Sequence, residues 1–67
     1  MIEVTLNGKP RQFPAGSSVG DLIASLTVEP SAVAVERNQE IVPRSMHPQV
    51  KLEIGDQIEI VTIVGGG

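Results

Sequence analysis

The chain has 67 residues, with eight Asp and Glu against five Lys and Arg, so it is one small domain with a formal net charge of −3. It has no cysteine, one histidine and one aromatic residue, Phe13, which excludes a disulfide framework, a thiolate zinc site and a stacking platform for bases. The acidic balance argues against nucleic acid or an anionic membrane as a partner. No apolar stretch is long enough to span a bilayer and no secretory signal is visible, so we expect a cytoplasmic protein.

The first thirteen residues predict a hairpin. Residues 2–6 alternate between apolar and polar side chains, which is typical of a half-buried strand. Asn7 and Gly8 follow, and this pair favours a type I′ turn because both residues tolerate positive φ. Lys9–Phe13 is then the returning strand. Pro10 predicts that this strand lies at an edge of the sheet, because proline cannot donate to a ladder.

One helix is predicted after the hairpin. Ser18 is a suitable N-cap, and Asp21 lies three residues on, where an acidic side chain favours the helix N-terminus. Gly20 weakens this helix by roughly 1 kcal/mol relative to alanine. Pro30 lies beyond its expected end. Four apolar residues share one helical face by their spacing of i, i+3, i+4 and i+7: Val19, Leu22, Ile23 and Leu26.

Two short strands are predicted next. Val33 and Val35 mark the first, and the polar stretch "RNQE" predicts a turn. Ile41 and Val42 then form a brief return that Pro43 stops.

The C-terminal third is predicted to hold a loop, an extended segment and the longest strand. Residues 44–49 have the composition of a loop, and His47 within them is expected to be exposed. Residues 50–54 alternate as a short strand or an extended segment, and residues 55–56 form the next turn. Residues 57–64 are the last strand.

This order of elements predicts an α+β fold of the ubiquitin-like β-grasp type, formed by residues 1–67 as a single domain. A mixed sheet of four to five strands packs on one helix, because the first hairpin cannot close a core alone. If the last strand lies parallel to the first, the intervening chain supplies the crossover that a parallel pair needs.

The last strand carries two apolar stripes. Ile58 and Ile60 point to one face, which should lie under the helix. Val61 and Ile63 point to the other face, and a chain of this length can hardly cover them with a second layer. Two interpretations remain open at this point. Isolated surface aliphatics are ordinary, whereas an exposed apolar pair beside the chain end is also typical of a surface that docks a partner.

The C-terminal glycines are the remaining chemical feature. No catalytic pair and no phosphate loop is visible, and one histidine cannot hold a metal by itself. Gly65, Gly66 and Gly67 end the sequence, either as a frayed tail or as a reactive arm. A terminal carboxylate is an anion at neutral pH. Another protein could activate it as an acyl adenylate, and glycines would let the arm pass through a narrow channel.

The stretches "VAVERNQEIVPRS" and "GDQIEIVTIVGGG" resemble the ThiS family, the sulfur carriers of thiamine biosynthesis. The resemblance implies a flexible reactive tail at residues 64–67 and a carrier that is not itself an enzyme and binds no cofactor. An adenylyltransferase related to ThiF would use ATP to adenylate Gly67. A persulfide protein such as a cysteine desulfurase would supply sulfur, leaving a thiocarboxylate. A thiazole synthase of the ThiG type would receive that sulfur, with Val61 and Ile63 on the docking face.

Three alternatives stay open on the sequence alone. A terminal Gly-Gly is shared with the molybdopterin-type sulfur carriers and with ubiquitin-like protein modifiers. A passive β-grasp interaction module is the alternative from another class, and for it truncation of the tail would be harmless.

Overall fold

The structure is a computed structural model that describes residues 1–63. The predicted reactive tail, residues 64–67, lies outside the described residues. Two single-turn 3-10 helices, at Pro30–Ala32 and Arg44–Met46, connect the larger elements. The strands and the α-helix of residues 1–63 are β1 (Ile2–Leu6), β2 (Lys9–Phe13), α1 (Val19–Ala24), β3 (Val33–Arg37), β4 (Glu40–Val42) and β5 (Gln57–Thr62).

The five strands form one mixed sheet in the order β2-β1-β5-β3-β4. β5 is therefore the central strand, although it is the last in the chain. It runs parallel to β1, with Thr5 opposite Gln57 and Leu6 opposite Ile58, and antiparallel to β3. The predicted crossover between the first and last strands is confirmed. β2 lies at an edge, as Pro10 predicted.

Both hairpins turn through two residues with left-handed backbone. Asn7 and Gly8 have φ of 49° and 83°, and Asn38 and Gln39 have φ of 53° and 70°. Positive φ at both central positions is the signature of a type I′ turn, whose twist matches that of the flanking strands. The turn predicted at Asn7-Gly8 is confirmed, and the polar stretch "RNQE" makes a second turn of the same kind.

The helix α1 begins after Ser18, the predicted N-cap, which forms a complete capping box with Asp21. The backbone N–H of Ser18 donates to Asp21 Oδ2 at 2.9 Å, and the N–H of Asp21 donates to Ser18 Oγ at 3.0 Å. The bond from the Ser18 backbone is the main reason why the pKa of Asp21 lies below its ordinary value. These bonds satisfy two of the backbone groups that a helix start leaves unpaired.

The core fills the space between α1 and one face of the sheet. Three buried helix residues face it, and the apolar residue that was predicted to end the helical stripe, Leu26, lies just beyond α1 and is partly buried. The buried apolar residues are Val4, Leu6, Phe13, Val19, Leu22, Ile23, Val33, Val35, Val42, Leu52 and Ile58.

The segment between β4 and β5 is packed more closely than its composition predicted. The expectation that His47 is exposed was wrong, because this residue is only 6% exposed and its Nε2 lies 3.1 Å from the carbonyl oxygen of Val42. The backbone N–H of Gly20 donates to His47 O at 2.8 Å. A Cβ on Gly20 would lie 3.4 Å from that oxygen and from Pro48 Cα. The helix start and this segment are therefore in direct contact at Gly20. Residues 50–53 form no strand apart from one isolated bridge between Lys51 and Ser18, and the turn predicted at residues 55–56 lies at residues 54–55.

A buried carboxylate ties this segment to the second hairpin. Asp56 Oδ2 accepts hydrogen bonds from Arg37 Nε and from the Glu53 backbone N–H, both at 2.8 Å, and Oδ1 accepts one from Asn38 Nδ2 at 3.2 Å. Burial by itself would raise the pKa of Asp56, but these bonds, first among them the one from Arg37, hold the pKa below its ordinary value of 3.8. The ionised carboxylate therefore stabilises the fold.

We expect stability to fall in acid because of this group. A carboxylate whose pKa is lowered by folding contributes its full stabilisation above the ordinary value of 3.8. That contribution is lost as the pH falls below 3.8 through the lower pKa of the folded state. Urea unfolding at pH 7 and pH 3 should show the loss. Asp56→Asn should cost about 1–3 kcal/mol at pH 7 and should show a smaller acid effect. Glu53→Gln is the matched control, since its exposed pair with Arg37 should contribute little. Equal acid sensitivity in the wild type and Asp56→Asn would contradict the assignment.

Candidate functional site

The two faces of β5 have different surroundings. Ile58 is 1% exposed within the core, and Ile60 is partly buried against it. On the opposite face, Val61 and Ile63 are each 54% exposed. The predicted division of the strand into a core face and an exposed face is confirmed, whereas docking of a partner on the exposed face stays a prediction.

Neighbouring strands extend the exposed face. Ala34 on β3 pairs with Val61, and Glu36 pairs with Glu59. Ile41 on β4 pairs with Glu36 and is 72% exposed. Directly paired residues of antiparallel strands point to the same side of a sheet. We call the set of Ala34, Glu36, Ile41, Glu59, Val61 and Ile63 the open face.

The open face combines apolar and acidic side chains. Glu36 and Glu59 lie directly opposite each other, and like charges in such a pair destabilise a sheet. Among the described residues, both ion pairs are made by Arg37 with Glu53 and Asp56, so neither acid of the open face is neutralised there. A partner with an apolar patch and basic side chains would cover the aliphatics and relieve the repulsion between the two acids.

The open face continues to the point where the last strand ends. β5 was predicted to run to residue 64, but the strand ends at Thr62. The backbone N–H of Ile63 still donates to Ala32 O at 2.6 Å, so the chain remains held at the last described residue. The predicted reactive arm, Gly65, Gly66 and Gly67, lies outside the described residues.

Residues 1–63 also include one histidine and an open groove. They contain no cluster of His, Asp and Glu suited to a metal, and the single histidine is buried against a backbone carbonyl. An open groove of about 400 Å³ lies on the helix side of the sheet, where it carries Lys9 and Arg11 but no carboxylate or histidine. No helix in this part of the chain is long and apolar enough to cross a membrane.

Within residues 1–63, the sheet order, the one capped α-helix and the central strand β5, which is followed in the sequence by three glycines, define a β-grasp protein of the ubiquitin-like class. Comparison with known families then identifies the family within this class. The model of the ThiS family matches residues 4–67, which is nearly the whole chain. The chain belongs to the ThiS family, so the resemblance inferred from the sequence is confirmed.

Known relatives agree with this assignment. The chain is 43% identical over 63 residues to the sulfur carrier protein ThiS of Bacillus subtilis, and the match covers 92% of this chain and 96% of that protein. The crystal structure of a thiamine biosynthesis protein (ThiS) from Geobacter metallireducens is similar, with a TM-score of 0.85 at 29% identity over 98% of this chain and 100% of that one.

A longer enzyme contains a similar region. The chain is 46% identical over 66 residues to a thiazole synthase of Paramagnetospirillum magneticum. The match covers 98% of this chain but 20% of that protein, so the chain spans about a fifth of the length of such relatives.

Sequence reasoning found part of the open face and missed the rest. It identified Val61 and Ile63 from the alternation within one strand. It did not assign Ala34 or Ile41 to the same surface, because that depends on which strands pair and in what register. The two-residue turn at "RNQE" was the available signal, since it determines which residues of β3 and β4 lie opposite each other.

Proposed function

We propose that this chain is a sulfur carrier for synthesis of the thiazole moiety of thiamine, and that it acts as a protein co-substrate rather than as an enzyme. The observation that carries the proposal is the family match, which extends to Gly67. The relative from Bacillus subtilis, matched over 96% of its length, is named a sulfur carrier protein.

The first step is activation of the terminal carboxylate. A carboxylate oxygen of Gly67 attacks the α-phosphorus of ATP in the active site of a ThiF-like adenylyltransferase. A carbon–oxygen–phosphorus linkage forms, the bond between the α-phosphorus and its bridging oxygen breaks, and pyrophosphate leaves. The carbonyl carbon of Gly67 is now electrophilic because adenylate is a good leaving group. ATP is thus a substrate of the partner and not a cofactor of this chain.

The second step brings in sulfur. The terminal sulfur of a protein persulfide, formed by an enzyme such as a cysteine desulfurase, attacks the Gly67 carbonyl carbon and expels AMP. This gives an acyl disulfide. A thiol then attacks the cysteine sulfur of the donor protein, and the sulfur–sulfur bond breaks. The electron pair stays on the transferred sulfur, which remains attached to the carbonyl carbon of Gly67. The products are a thiocarboxylate on this chain and a new disulfide.

The third step delivers the sulfur to a thiazole synthase. A thiazole synthase of Paramagnetospirillum magneticum contains a region 46% identical to this chain, which supports pairing of the two activities. We propose that Val61 and Ile63 lie in the contact with the partners and that Gly65 and Gly66 thread the arm into their active sites. Glycine suits this part because a side chain would obstruct close approach of the backbone.

Intact-mass measurement tests the proposal. The purified chain is incubated with its cognate adenylyltransferase, ATP, a cysteine desulfurase and cysteine. The mass should increase by the difference between one sulfur and one oxygen atom, and the reaction without ATP should show no increase. No increase with demonstrably active partners would overturn the proposal. An isopeptide bond from Gly67 to target lysines would instead identify a protein modifier. Transfer of sulfur to a molybdopterin precursor but not to thiazole would identify the other carrier type.

A further inference from the structure

The side chain of Asn7 extends the pairing of the first and last strands. Asn7 follows β1, and its backbone N–H donates to Ile58 O at 2.9 Å. Its Oδ1 accepts a hydrogen bond from the Ile60 backbone N–H at 2.8 Å, and its Nδ2 lies 3.5 Å from Ile60 O. The carboxamide thus occupies the place of one more residue of β1, although the chain has already turned into the hairpin.

Within residues 1–63, the hydrogen bonds that β5 makes on its β1 side end at the bond between Ile60 and Asn7. The backbone pairing between β1 and β5 reaches Leu6 and Ile58. Within residues 1–63, Ile60 is the last residue of β5 that is bonded on the β1 side. Farther on, the bond from the Ile63 N–H to Ala32 O holds the chain from the opposite side. β3 thus holds β5 up to its end through the pairing of Thr62 with Val33 and the Ile63–Ala32 bond, whereas on the β1 side the last described bond of β5 is the one to Asn7.

The other hairpin offers a matched comparison. Asn38 has φ of 53°, close to the 49° of Asn7. Its backbone N–H donates to Gln57 O at 2.8 Å, and its Oδ1 accepts from the Gln57 N–H at 3.0 Å. The two asparagines therefore make the same kind of contact with the same strand. Asn38 acts where β5 begins, whereas Asn7 acts where β5 approaches the arm.

We propose that Asn7 is a positioning residue for the carrier reaction: its carboxamide fixes Ile60 in the part of β5 that leads to the arm. This inference rests on the proposed function. Asn7 does not touch the reacting atoms, but a misplacement of about 1 Å at a reacting centre can lower a rate by about 100-fold. Loss of the carboxamide should therefore lower kcat of adenylation more than it raises KM, because the open face is left intact.

Three variants separate positioning from stability. Asn7→Gly keeps a residue that tolerates positive φ and removes the carboxamide. Asn7→Asp keeps an oxygen that can accept from Ile60 and also tolerates the left-handed turn. Asn38→Gly removes the equivalent contact at the far end of β5, together with the hydrogen bond from Asn38 Nδ2 to Asp56. Pyrophosphate release is measured with the cognate adenylyltransferase at saturating and limiting carrier, well below the melting temperature of each variant.

The expected pattern differs among the three. Asn7→Gly should lower kcat by about tenfold or more and should speed hydrogen exchange of the Ile60 amide. Asn7→Asp should restore most of kcat and most of the protection of the Ile60 amide against hydrogen exchange. Asn38→Gly should lower the melting temperature but leave kcat within about twofold of the wild type, since its contact is remote from the arm.

Two results would overturn the positioning role. The first is a kcat of Asn7→Gly equal to that of the wild type. The second is an equal loss of kcat in Asn7→Gly and Asn38→Gly, because the loss would then follow from lower stability and not from positioning. In both cases the wild-type chain still becomes adenylated, so the proposed function stands. A wild-type chain that is not adenylated by an active partner overturns the proposed function, and the positioning role falls with it.

Discussion

Removal of Gly66 and Gly67 should abolish sulfur loading while the free energy of unfolding stays within about 0.5 kcal/mol of the wild type. The buried core described above runs from Val4 to Ile58, so the deleted residues lie beyond all of it. The shortened chain still ends in a carboxylate. That carboxylate lies up to about 7 Å short, because an extended chain advances by roughly 3.3–3.6 Å per residue.

Intact mass and urea unfolding of the same preparation measure both parts of this expectation. Gly65→Ala is the matched control, since it keeps the length of the arm and the Gly67 carboxylate and adds one methyl group. It should load sulfur more slowly than the wild type but detectably. A truncated chain that acquires sulfur, or one that unfolds, would contradict the division between a stable domain and a reactive arm.

Replacement of isoleucine by alanine on the two sides of the last strand should affect two different properties, stability on the core side and partner binding on the exposed side. Ile58 is 1% exposed and Ile63 is 54% exposed. Ile58→Ala removes buried methylene and methyl groups and leaves a cavity, at a cost of about 2–5 kcal/mol. A domain of this size has a total stability of the order of 3–10 kcal/mol. We therefore expect Ile58→Ala to be partly or fully unfolded, as urea unfolding and circular dichroism would show.

Ile63→Ala should instead remain folded and bind its partners less well. Its exposed side chain contributes little to the core, so the free energy of unfolding should change by about 0.5 kcal/mol or less. If the open face docks the adenylyltransferase, KM for the carrier should rise while kcat changes little, because the arm itself is intact. An unchanged KM would remove Ile63 from the interface. A stable Ile58→Ala would contradict the assignment of the core.

Elements with a local signature could be predicted from the sequence. The hairpin at Asn7-Gly8 follows from the positive φ that both residues accept. The helix start at Ser18 follows from a capping box whose two members lie three positions apart. The two faces of β5 follow from a period of two. In each case, the interacting residues are neighbours in the chain, so their types are sufficient.

Contacts between distant parts of the chain could not be predicted in this way. His47 was expected to be exposed because its neighbours have the composition of a loop. It is buried because residues 44–50 fold back onto the start of α1, where the backbone N–H of Gly20 donates to His47 O. The pairing of Arg37 with Asp56 joins residues nineteen positions apart. The residue types do not identify this pair, because acidic and basic residues occur throughout the sequence.

The sequence by itself determined the ubiquitin-like fold class, the family and the three glycines as the candidate reactive arm. Local patterns carry that information, because turn chemistry, capping and alternation act between residues a few positions apart. The tertiary structure decided which surface accompanies the arm and how the strand before it is held. Ala34 and Ile41 join Val61 only through strand pairing, and the Asn7 carboxamide reaches Ile60 across 53 positions of sequence. These contacts form when the chain closes long loops around a common core, so no local pattern specifies them.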